Sequence, residues 1–66
     1  MQVFVNGQPR PCAHGATVAG LLQELGYAGK RVAVEINREI VPRSRHAERQ
    51  LQDQDRVEVV NAIGGG

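Results

Sequence analysis

Between Thr17 and Gly26 the chain sets Val18, Leu21, Leu22 and Leu25 at i, i+3, i+4 and i+7, with Gln23 and Glu24 turned the other way. That spacing predicts one amphipathic helix with a single apolar stripe. Thr17 fits its N-cap, and Gly26 fits the position past its end, where a left-handed backbone costs glycine little. A helix of about ten residues is too short to stand alone in water. It must lie on a sheet, and this requirement constrains the fold more than any other feature.

The flanking segments supply that sheet. Residues 2–6 alternate, with Val3 and Val5 on one face and Gln2, Phe4 and Asn6 on the other. Asn6-Gly7 is a strong hairpin signal, because both residues tolerate positive φ. The return strand, about residues 8–13, carries Pro9 and Pro11 and is predicted at a sheet edge, where missing N–H donors do no harm. Residues 31–36 alternate again, with Val32, Val34 and Ile36 together; Asn37-Arg38-Glu39 reads as a turn and Ile40-Val41 as a short strand stopped by Pro42. Residues 43–50 are polar and read as loop with room for one helical turn, with Leu51 as the apolar plug beneath them. Asp53-Gln54-Asp55 is a turn, and residues 57–62 form the last strand. The order strand, strand, helix, strand, short strand, strand predicts an α+β fold, with the helix on one sheet face and the first and last strands paired in parallel.

Size and composition exclude several function classes. A chain of 66 residues is one domain. Its only aromatics are Phe4 and Tyr27, so the core must come from Val, Leu, Ile and Ala, with little apolar surface left for a deep substrate pocket. Eight Lys and Arg against seven Asp and Glu give +1, which implies no strongly charged face. The single cysteine, Cys12, cannot form an internal disulfide and is expected as a small half-buried side chain. Cys12, His14 and His46 lack metal-ligand spacing, so no metal site is expected. No signal peptide and no apolar run of membrane-spanning length is seen, which predicts a cytoplasmic protein without a membrane partner.

No Ser/His/Asp set, no paired carboxylates in a predicted cleft and no Gly-rich strand-to-helix loop occur, so no catalytic residue is assigned. His14 and His46 are expected as solvated surface residues. Arg38, Arg43, Arg45 and Arg49 with His46 form the one basic cluster, diluted by Glu39 and Glu48. Without interleaved aromatics for base stacking it reads as a solvated face, not a nucleic-acid surface.

What remains is Gly64-Gly65-Gly66. Three glycines make a backbone thread about 10 Å long when extended, with no Cβ and wide conformational freedom. Its one functional group is a terminal carboxylate, which becomes an electrophile only when activated, for example as an acyl-adenylate. A chain ending this way suits a carrier whose last residue is the reagent. The division expected is a domain over 1–63 and a tail over 64–66.

Several segments together resemble the ubiquitin-like β-grasp sulfur carriers, above all the ThiS-type carriers of bacterial thiamine biosynthesis. They are Val3-Phe4-Val5-Asn6-Gly7, residues 17–22, residues 32–37, Ile40-Val41-Pro42-Arg43-Ser44, residues 51–58 and Ala62-Ile63-Gly64-Gly65-Gly66. The resemblance implies a mixed sheet of four to five strands with one main helix on one face. It implies a protein that is not itself an enzyme and binds no cofactor. A ThiF-type adenylating enzyme would use ATP and magnesium to convert the Gly66 carboxylate to an acyl-adenylate. A cysteine desulfurase system would supply persulfide sulfur, giving a thiocarboxylate that donates sulfur to a ThiG-type thiazole synthase. Gly64 and Gly65 would thread into partner active sites. The one departure is Gln54, where the family often has glycine in the turn.

Strand alternation adds an expected docking patch. With Val3, Val5, Val57 and Val59 toward the helix, Phe4, Val60 and Ala62 face outward as neighbours, and Ile63 extends the patch toward the tail. Three other readings stay open. One is the small subunit of molybdopterin synthase or another β-grasp sulfur donor, with the same terminal chemistry. Another is a β-grasp interaction module in which the tail is incidental. The third, less favoured, is a ubiquitin-like protein modifier conjugated to lysines.

Overall fold

The computed structural model describes residues 1–61. The strands are β1 (Gln2–Val5), β2 (Gln8–Pro11), β3 (Val32–Ile36), β4 (Glu39–Val41) and β5 (Arg56–Asn61), with one helix, α1 (Val18–Glu24), and a 3-10 turn at Arg43–Arg45. Among the described residues the sheet runs β2-β1-β5-β3-β4. β1 and β5 pair in parallel at its centre, and the other neighbours are antiparallel. This is the α+β arrangement expected, with five strands and one face of the sheet under the helix.

Local chemistry accounts for each element. Asn6 (φ 50) and Gly7 (φ 86) form the β1–β2 turn, both in the left-handed region a two-residue hairpin needs. β2 lies at the sheet edge with Pro9 opposite Phe4 and Pro11 opposite Gln2. It ends at Pro11, two residues before the stretch read from sequence, although the Cys12 amide still donates to the Met1 carbonyl at 2.8 Å. The β3–β4 turn is Asn37-Arg38, at φ 52 and 71, so Glu39 belongs to β4 and not to the turn.

α1 is closed at both ends. The Thr17 hydroxyl accepts from the Gly20 amide at 3.1 Å. The amides of Val18 and Ala19, also without partners inside the helix, donate to the Arg49 and His46 carbonyls at 2.9 and 2.8 Å. At the C-terminus Gly26 (φ 86) donates to Gln23 and Tyr27 to Leu22, the paired bonds of a Schellman motif. The polar segment before Leu51 is therefore a tertiary cap for the helix.

The core is aliphatic: Val18, Leu21 and Leu22 from α1, Val3, Val34, Ile36, Val41, Val57 and Val59 from the strands, and Leu51. Among the described residues, alanine contributes only Ala16 at its margin. Leu51 is 3% exposed, as its role as a plug requires. His46 departs from expectation. It is buried, with Nε2 3.1 Å from the Val41 carbonyl, while its backbone carbonyl accepts from the Ala19 amide at the start of α1.

Candidate functional site

β5 runs through the middle of the sheet and leads to the glycine terminus. Val57 and Val59 point into the core, while Arg56, Glu58 and Val60 lie on the face away from α1. Two asparagines extend the ladders on either side of it. The Phe4 amide donates to the Asp55 carbonyl and the Asn6 amide to the Val57 carbonyl, both at 2.8 Å. The backbone then turns away at Gly7. The Asn6 side chain continues where the backbone leaves off: Oδ1 accepts from the Val59 amide at 2.9 Å and Nδ2 donates to the Val59 carbonyl at 3.3 Å. One side-chain amide thus replaces one peptide unit of β1.

Asn37 does the same at the start of β5. Its backbone amide donates to the Arg56 carbonyl at 2.8 Å, and its Oδ1 accepts from the Arg56 amide at 3.0 Å. Its Nδ2 donates to Asp55, a buried carboxylate that also accepts from the Gln52 amide at 2.8 Å and stands 3.9 Å from the Arg49 guanidinium. Sequence reasoning gave none of Asn6, Asn37 and Asp55 these roles. The Asn-Gly dipeptide signalled only a turn, and the partner strand lies about fifty residues away in sequence.

The open face places the expected docking residues as follows. Phe4 is half-buried opposite Arg56, whose guanidinium sits 5.7 Å from the ring centroid. Val60 is opposite Ala33 and 60% exposed. The two share the face but are not the neighbours expected. Val60 lies four residues along β5 from Phe4's partner, about 13 Å of strand, with Glu58 between. The parallel register sets this separation, and alternation alone does not reveal register. Ile40, 75% exposed, is a further large apolar side chain on this face, opposite Glu35. Ala62, Ile63, Gly64, Gly65 and Gly66 lie outside the described residues.

Elsewhere the surface carries little chemistry. Among the described residues no group of His, Cys, Asp and Glu could hold a metal ion. Cys12 is half-buried and His14 exposed. The basic cluster dissolves: Arg45 pairs with Glu48 at 3.1 Å, Arg49 faces Asp55, and His46 is buried. The Gln2 amide, 2.9 Å from Asp53 Oδ1, holds that carboxyl below its ordinary range, with the Gln54 side chain adding to the effect. Among the described residues no helix is long and apolar enough to cross a membrane.

Comparison with known proteins gives consistent matches. A sequence model of the ThiS family matches residues 3–66. The sulfur carrier protein ThiS of Escherichia coli is 39% identical over 66 residues, which cover the whole of both chains. A thiazole synthase of Magnetococcus marinus is 44% identical over 66 residues, all of this chain but 20% of that protein. The chain thus spans about a fifth of the length of that relative. The crystal structure of a thiamine biosynthesis protein (ThiS) from Geobacter metallireducens superimposes with a TM-score of 0.85 at 35% identity, covering both chains fully.

Proposed function

The chain belongs to the ThiS family, and on that premise we propose that it is a sulfur carrier of thiamine biosynthesis whose working group is the carboxylate of Gly66. The observation that carries this reading is the end-to-end match to a sulfur carrier protein over 66 residues. The fold supports it. A helix capped at both ends and a central strand paired on both edges make a rigid handle for successive partners, and the sequence after β5 runs Ala62-Ile63 and then three glycines.

In this reading the protein is a co-substrate and not an enzyme. A ThiF-type adenylating enzyme with ATP and magnesium joins a Gly66 carboxylate oxygen to the α-phosphorus and releases pyrophosphate. The acyl-adenylate carbon is then electrophilic. A persulfide sulfur from a cysteine desulfurase system displaces AMP, and cleavage of the sulfur–sulfur bond by a thiol leaves a thiocarboxylate. That group passes its sulfur to thiazole synthase. Two proteins named thiazole synthase contain a stretch 44% and 46% identical to all of this chain, which supports that enzyme as partner. Gly64 and Gly65 thread the partner's channel, and Phe4, Val60, Ala62 and Ile63 make the docking contact.

The test is mass spectrometry after incubation with an adenylating enzyme, ATP and a persulfide donor. The protein should gain the mass difference between sulfur and oxygen, and deletion of Gly66 should abolish the gain. Absence of any gain with an enzyme that thiolates another ThiS would overturn the reading.

A further inference from the structure

The two asparagine clamps do the same structural job at opposite ends of β5, and only one of them lies toward the terminus. From Glu58 onward β3 pairs with one edge of β5 as far as Asn61. On the other edge, β1 has ended at Val5. Among the described residues the Asn6 side chain alone holds that edge, through both polar groups of Val59. Without it β5 would be held on its β1 side only to Val57, about 7 Å of strand earlier. A strand paired on only one side twists more than one paired on both. Asn6 therefore braces the β1 edge of β5 two residues before the strand ends at Asn61.

We propose that Asn6 is a positioning residue for carboxylate activation: its side-chain amide, standing in for a peptide unit of β1, aims the end of β5 so that the terminal segment enters the adenylating enzyme in register. The inference rests on the reading of Gly66 as the activated group. A strand end held on both edges loses less freedom on docking, so the effect belongs in KM and not in kcat. Asn6 touches no reacting atom.

Glycine is the right replacement. Asn6 and Asn37 have φ of 50 and 52, which glycine adopts freely, so each substitution removes the clamp without straining its turn. Asn37→Gly is a stringent control. It removes the Arg56 contact and the Asp55 contact as well, and so perturbs the fold at least as much.

The experiment measures ATP–pyrophosphate exchange with the full chain and an adenylating enzyme at a temperature where all variants are folded. Amide hydrogen exchange is followed in parallel. Asn6→Gly should raise KM about tenfold at unchanged kcat and speed exchange of the Val59 amide. Asn37→Gly should leave KM near that of the parent while lowering Tm. An unchanged KM for Asn6→Gly, an equal rise for Asn37→Gly, or a Val59 amide still protected in Asn6→Gly would each overturn the proposal. If the parent itself supports no exchange, the carrier reading fails and takes this inference with it.

Discussion

At the scale of single residues, backbone conformation and one carboxylate give the sharpest expectations. Gln54 stands at φ 72, in the left-handed region that disfavours residues with a Cβ. The sequence had already marked this position as one where glycine would be easier. Gln54→Gly should stabilise the protein by about 0.5–1 kcal/mol, read as a rise in the urea midpoint. A fall would mean that the Gln54 side chain does more than its long contact with Asp53 suggests. Asp53 offers a test by pH. Its carboxyl is held below its ordinary value first by the Gln2 amide, so the charged form is favoured in the folded state. Its contribution is fully present above the unfolded carboxylate range near pH 4 and is lost as pH falls through the lower folded value. Thermal melts of the parent and Asp53→Ala should therefore differ at pH 7 and converge as the pH is taken below about 4. Convergence on raising the pH instead would contradict the assignment.

At the scale of elements, alternation was legible while register was not. Glu35 on β3 and Glu58 on β5 stand directly opposite each other on the open face. Neither takes part in an ion pair among the described residues. Like charges in this position are destabilising. Glu58→Gln should raise Tm, corresponding to about 0.5 kcal/mol, and the gain should shrink in high salt as screening weakens the repulsion. A gain independent of salt would point to packing instead of charge. The faces of β1, β3 and β5 and the helix stripe followed from periods of two and about 3.6 in the sequence. The separation of Phe4 from Val60 did not, because sliding one strand along another by two residues leaves every face unchanged.

At the scale of the whole molecule, the segment before Leu51 shows how distant parts complete each other. Its carbonyls satisfy the first helix amides, the Leu51 amide donates to the Ala16 carbonyl at 2.8 Å, and the Leu51 side chain closes the core below. Leu51→Ala should cost about 3 kcal/mol. That is a large share of the stability of so small a domain, at roughly 0.1 kcal/mol per residue. The check is chemical denaturation, with the loss expected as a shift in midpoint at constant m. A loss under about 1 kcal/mol would mean that the cap holds without its plug.

The amino-acid sequence by itself determined the element order, the buried faces, the Thr17 and Gly26 caps of α1, the edge position of β2 and the glycine terminus. These depend on residues within one turn or one strand of each other. Only the tertiary structure decided that His46 is buried, that Asp55 joins Asn37 to Arg49, and that Asn6 and Asn37 brace the two ends of β5. Each of these rests on a hydrogen bond or close charge contact between residues far apart in the chain or lying in different elements. Such a bond forms only once the hydrophobic faces have collapsed and fixed the register that brings its two ends together.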